Sequence, residues 1–80
     1  MPPRMTNHVR LRLAQKGITE AAVVFVCNAY TSHNYDPDNR SYELSGWVEG
    51  GHLEVCVTEE TFDSVDPVLK TAYWLKREEL

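Results

Sequence analysis

Eighty residues leave room for one domain, spanning 1–80, and for one core. With 42% hydrophobic and 25% charged residues the chain is of ordinary globular composition, which excludes a disordered or fibrous class. Eight Lys and Arg face twelve Asp and Glu, a net charge of −4, so the chain lacks the overall cationic excess that phosphate-driven nucleic-acid binders use to displace counterions.

Residues 1–4 are expected to form a short, loose tail, and the first helix is expected over about 6–16. Thr6 or Asn7 can cap it, Met5, Val9 and Leu13 form an apolar stripe at spacing four, Leu11 widens that stripe, and Gly17 stands where a left-handed helix end belongs. Ile18 then returns to the core. Thr19 caps a second helix running to about Asn28, with Glu20 near its positive end. The run from Ala21 to Cys27 is apolar nearly all round. Its β-branched content also permits a strand, but the cap and the Ala pair favour a helix, buried or covered by a partner. The polar stretch 30–35 suits a short edge strand, and Asp36-Pro37-Asp38-Asn39 is a turn. Residues 40–48 alternate, with Tyr42, Leu44, Gly46 and Val48 on one face and Ser41, Glu43, Ser45 and Trp47 on the other. Gly50-Gly51 reads as a tight hairpin turn, and Leu53, Val55 and Val57 mark the returning strand. An acidic loop covers 59–66, Pro67 opens a last strand through about Trp74, and Lys76-Arg77-Glu78-Glu79 reads as a charged tail. Short turns pair successive strands antiparallel, so the expected class is α+β, with two N-terminal helices packed on one face of a four-stranded antiparallel sheet.

The two cysteines, Cys27 and Cys56, make no disulfide framework. Without a C-x-x-C they suggest no metal site, and no cofactor is expected. The longest apolar stretch is too short to cross a membrane. No apolar run follows Met1-Pro2-Pro3-Arg4, so a cytoplasmic location is expected. A core of this size is modestly stable, and a partner protein or a homodimer would add to it.

Charge is unevenly spread. Residues 1–16 hold Arg4, Arg10, Arg12 and Lys16 and no acid, while 59–66 hold four acids and no base. His8, Arg12 and Lys16 stand at i, i+4 and i+8, which on a helix makes one ridge. Such a ridge can bind an anion. Arg12 would fork onto a phosphate, and His8 would serve as general base or acid, since an imidazole ordinarily titrates near neutrality. A solvated helix face explains the same residues, and the helix dipole alone favours Lys16 near a C-terminus. On the last strand, alternation sets Lys70 opposite Thr71 and Tyr73. Tyr73 there is an acid–base or base-stacking candidate, or simply a packing residue, and Lys70 is a candidate substrate-binding cation. Arg40 follows a turn and could reach a phosphate or merely aid solubility. His33 and His52 read as surface residues. Trp47, Trp74, Tyr30, Tyr35 and Tyr42 are many aromatics for so small a chain, and those left exposed would mark an interface.

The opening segment His8-Val9-Arg10-Leu11-Arg12-Leu13-Ala14-Gln15-Lys16-Gly17-Ile18-Thr19 and the closing strand Val68-Leu69-Lys70-Thr71-Ala72-Tyr73 resemble a widespread bacterial family of uncharacterised small domains. That family is placed near the RelE/ParE toxins of the barnase–EndoU–colicin–RelE group. The resemblance implies a RelE-like fold and, for some relatives, a metal-independent ribonuclease paired with an antitoxin. Side chains of the first helix and the sheet would position RNA, deprotonate a 2′-hydroxyl and stabilise the phosphorane. The matching positions are His8, Arg12, Lys16, Thr71 and Tyr73. The other reading is a non-catalytic interaction domain, immunity-type or regulatory, on the same fold. Net acidity favours that one, because an acidic surface is repelled by RNA and suits a basic partner.

Overall fold

The computed structural model describes residues 3–78. Helix α1 covers Asn7–Gln15. Thr6, extended, caps it, its Oγ1 accepting from the Val9 amide at 3.1 Å. The helix stops at Gly17, whose φ of +70° turns the chain so that the Ile18 amide donates back to the Leu13 carbonyl at 2.9 Å. A β-carbon at Gly17 would also meet the Arg77 guanidinium. Helix α2, Glu20–Ala29, starts the same way, with Thr19 Oγ1 accepting from the Ala22 amide at 3.1 Å. Both caps and the glycine stop match the sequence expectation.

Four strands follow: β1 (Ser32–Asp36), β2 (Ser41–Val48), β3 (Gly51–Thr58) and β4 (Leu69–Arg77). They pair antiparallel in the order β1-β2-β3-β4. In the β1–β2 turn the Asp36 carboxylate accepts from the Asp38 and Asn39 amides, and Arg40 takes a left-handed φ of 52°. A short 3-10 turn, Glu59–Thr61, begins the β3–β4 connection. α1 lies against β4, and α2 lies against β2 and β3. Between helices and sheet, Leu13, Ile18, Val23 and Val26 pack on Leu44, Leu53, Val55, Val57, Leu69 and Ala72, all buried, in one continuous core. The fold is therefore α+β, with two helices preceding and covering one face of a four-stranded antiparallel sheet.

The structure corrects four expectations. The β2–β3 turn is Glu49-Gly50, and Gly51 is already in β3, paired with Val48. A β-carbon at Gly51, where φ is 142°, would stand 2.1 Å from the Lys76 carbonyl oxygen, so glycine is required there by a neighbouring strand as well as by a turn. Lys76 and Arg77, expected in a tail, belong to β4. They pair with His52 and Gly51, because the long β3 offers free backbone groups to that point. Glu79 lies outside the described residues. Arg4, expected in a loose tail, donates its amide to the Pro67 carbonyl at 2.8 Å and accepts from the Leu69 amide at 2.9 Å. Finally, Lys70 is not opposite Thr71 and Tyr73. The β3–β4 register shifts between Cys56 and Val57, so Cys56 pairs with Thr71 while Val57 pairs with Leu69. A bulge of this kind breaks the alternation of period two. Leu69 and Ala72 can then both face the core, while Lys70, Thr71 and Tyr73 line one hollow on the outer face of the sheet.

Candidate functional site

The basic ridge of α1 faces β4. His8, Val9, Arg12 and Leu13 from the helix and Lys70 and Thr71 from the β4 bulge line a hollow of about 210 Å³. The capped start of α1 and its apolar stripe fix the rotation of the helix. Leu13 is buried and Val9 half-buried, which turns the neighbouring ridge of His8, Arg12 and Lys16 toward the strand. Lys16 is anchored there. Its Nζ donates to the Ala72 carbonyl at 2.9 Å and to Thr71 Oγ1 at 3.3 Å. Trp74 Nε1 donates to the Lys16 carbonyl at 3.1 Å, and the Arg77 guanidinium stacks over the Trp74 ring at 5.6 Å. The end of α1 is thus held to β4 from both sides.

Three cationic or potentially cationic side chains, His8, Arg12 and Lys70, line this hollow, and no carboxylate does. The two ion pairs found among the described residues involve other bases, Arg10 with Glu20 at 3.4 Å and Arg40 with Glu59 at 3.3 Å. The Lys70 ammonium donates to the Asn39 carbonyl at 2.8 Å. Chemically the hollow is a cradle for a small anion, with a forked guanidinium, an ammonium and a threonine hydroxyl as donors and one imidazole able to move a proton.

The structure thus brings together His8, Arg12, Lys70 and Thr71, and ties Lys16 to Thr71. Tyr73 does not line this hollow and lies on the outer sheet face. There Asp36, Asn39, Ser41, Glu43, Cys56, Lys70, Thr71 and Tyr73 line a second hollow of about 300 Å³. The two hollows share Lys70 and Thr71, so they meet at the bulge. Arg40 sits elsewhere, beside Thr58, Glu59 and Glu60, with its guanidinium held by Glu59. Glu59 also accepts from the Tyr35 hydroxyl at 2.8 Å, which pushes the Tyr35 phenol above its ordinary range. His33 lies exposed on β1 beside the Tyr30 ring, and His52 on β3 stacks on Trp47 at 4.7 Å.

Sequence reasoning missed the outer-face cluster of Glu43, Glu54 and Cys56. Glu43 and Cys56 are directly paired across β2 and β3, and one potential ligand atom from each of the three residues lies within 4.8 Å of the others. The alternation of the two strands carries that signal, once their register is known. Burial, reinforced by the Glu43 charge, raises the Glu54 carboxyl above its usual range. Burial likewise pushes the Cys56 thiol up to about 11 and the Cys27 thiol up to about 11. Both therefore remain thiols near neutrality, which makes them poor nucleophiles and poor metal ligands. A third, apolar hollow of about 720 Å³ lies between α2 and the β2–β3 turn, bordered by Phe25 and Trp47, each about half exposed.

Among the described residues no helix is long and apolar enough to cross a membrane. Comparison with known protein families, curated proteins and solved structures finds no match to this chain.

Proposed function

We propose that this chain is a toxin-like, metal-independent ribonuclease whose phosphate-binding centre is the hollow between α1 and the β4 bulge. The observation that carries the reading is the convergence of His8, Arg12, Lys70 and Thr71 on one hollow with no carboxylate in its lining. Those residues come from the two ends of the chain, and they include three of the positions at which the family resemblance assigns catalysis. Arg12 and Lys70 hold the non-bridging oxygens of the scissile phosphate and neutralise the added charge of the phosphorane. The His8 imidazole accepts the proton of the 2′-hydroxyl, and the 2′-oxygen attacks phosphorus. The bond to the 5′-oxygen breaks, and that oxygen takes a proton from water. Lys16 acts as a positioning residue through its hydrogen bonds to Thr71 and Ala72. Tyr73 faces the neighbouring hollow and contacts the nucleotide beside the scissile one. Expression with and without an antitoxin partner belongs to the same reading.

The test is cleavage of single-stranded RNA in the presence of a chelator, by the wild type and by His8→Ala. The wild type should cleave, and His8→Ala should be slower by roughly 10²–10⁴-fold, the usual worth of one general acid–base group. Equal rates for the two proteins remove His8 from the chemistry. Absence of cleavage by the wild type removes the ribonuclease. One observation favours the second reading, a non-catalytic interaction domain. The anion hollow contains a single proton-transferring side chain in a chain of net charge −4. That reading predicts anion binding without cleavage and association with a basic partner protein.

A further inference from the structure

We propose that the apolar hollow between α2 and the β2–β3 turn binds a small quaternary ammonium cation, held against the Phe25 and Trp47 rings and balanced by the Glu49 carboxylate. The hollow is a consequence of strand lengths. β1 stops pairing with β2 at Ser45, whose carbonyl accepts from the Thr31 amide at 2.9 Å, while β2 runs on to Val48. Near that point the end of α2 closes the gap, and a β-carbon at Gly46 would stand 3.8 Å from Val26 and from Tyr30. Toward the start of α2 no described residue takes the place of the missing strand. A space of about 720 Å³ opens there between Ala21, Ala22 and Phe25 of the helix and Trp47, Val48 and Glu49 of the strand end and turn. That volume falls among small-molecule sites, which run from about 300 to about 1,000 Å³.

Two exposed rings and one carboxylate set the class of ligand. Phe25 is 53% exposed and Trp47 51% exposed. Exposed apolar side chains are ordinary when scattered, but these two share one hollow. The Trp47 indole lies flat on the His52 imidazole, with centroids 4.7 Å apart and planes 10° apart. That stack covers one face and fixes the orientation of the ring, while the residue stays half exposed. An open aromatic face carries the negative lobe of the ring quadrupole and attracts a cation, tryptophan most strongly. Among the lining residues Glu49 alone is ionisable, and it takes part in neither ion pair of the described residues. The complementary charge is therefore positive, and an anionic ligand would meet Glu49 with like charge. The start of α2 brings partial positive charge of its own. It is answered by Glu20 in the first turn and by Thr19 Oγ1, which takes the Ala22 amide. The rest of the lining, Ala21, Ala22 and Val48, is apolar. A primary ammonium brings three N–H donors to a lining with one carboxylate, whereas a quaternary ammonium has none to satisfy and presents methyl groups to apolar walls.

The experiment titrates the isotope-labelled full chain with choline and, separately, with 3,3-dimethylbutanol, the uncharged isostere in which carbon replaces the ammonium nitrogen. Amide and indole N–H shifts are followed by NMR. Choline should shift Ala22, Phe25 and the Trp47 indole, and should bind about tenfold tighter than the alcohol, the scale of a desolvated cation–π contact. Trp47→Leu, which keeps an apolar side chain, and Glu49→Gln should each lower choline toward the affinity of the alcohol. The shifts of Val23 and Leu53 in the core report in the same spectra that each variant is folded. The comparison of choline with the alcohol is made on the wild type and stands even if a variant does not fold. Equal affinity of the two ligands, or no shift with choline, overturns the inference. So do choline shifts centred on the acidic segment 59–66, or a choline preference undiminished in both folded variants. Shifts of the hollow residues that grow with protein concentration in the absence of choline assign the hollow to a second copy of this chain, and that outcome overturns it as well.

Discussion

Lys16 shows why a residue type does not by itself disclose a role. In the sequence it completes a basic ridge or answers the helix dipole. In the structure it spends two donors on β4, and it is half-buried. Lys16→Met should destabilise the fold by about 1–2 kcal/mol, the usual worth of hydrogen bonds from a charged donor with some exposure. The check is the midpoint of urea unfolding at unchanged slope. The bases of His8 and Arg12 were legible as a pair because helical spacing is regular, whereas their meeting with Lys70 was not, since it depends on a bulge. Glu54 carries a further prediction. Its carboxyl is raised in the folded state, by burial and then by Glu43. The charged form is therefore disfavoured in the native chain, and the group's favourable contribution is present below its unfolded pKa and lost as pH rises through the higher folded one. Glu54→Gln, which cannot ionise, should raise the melting temperature at pH 7–8, and the gain should shrink toward pH 4. A gain that is constant with pH would show that the carboxylate is not the source.

At the scale of elements, both helices were legible because their ends are written in side chains. Thr6, Thr19 and Gly17 each do a local job that needs no tertiary context. Thr19→Ala should cost about 1 kcal/mol in urea unfolding through the lost cap, with the α1–β4 hollow untouched. The strands were legible where alternation is regular, as in β2 and most of β3. β4 was not, for two reasons. Its last residues, Lys76 and Arg77, are exposed and read as a tail, and its bulge inserts a residue that a period of two cannot anticipate. The hairpin was misplaced by one residue because Gly50 and Gly51 both have positive φ, and only the packing against Lys76 tells them apart. Gly51→Ala should therefore destabilise by more than 2 kcal/mol or so, since the backbone is strained and its contact is with backbone rather than a flexible side chain. Gly17→Ala should cost less, about 1 kcal/mol, because the group it meets is the mobile end of Arg77. A Gly51→Ala chain as stable as Gly17→Ala would contradict that difference.

For the whole molecule, composition and element order were enough for the α+β class, because short turns between strands leave a meander as the simple solution and two helices with apolar surface to bury need one sheet face. The site was only half legible. The ridge on α1 was visible, but which strand it faces is a property of how α1 rolls onto β4 once Leu13 is buried. Net charge does not describe local charge, because a chain with a charge of −4 still gathers His8, Arg12 and Lys70 around a hollow without a carboxylate. An anion held there releases counterions, and each cation in contact adds to the salt dependence of binding. The most direct measurement is therefore the affinity of a single-stranded oligouridine as a function of salt, for the wild type and for Arg12→Ala. Binding to the α1–β4 hollow predicts a linear fall of log affinity with log salt, with a slope smaller by about 0.7 in Arg12→Ala and weaker binding at every salt concentration. The same affinity and slope for both proteins would place the RNA elsewhere on the molecule and contradict the account.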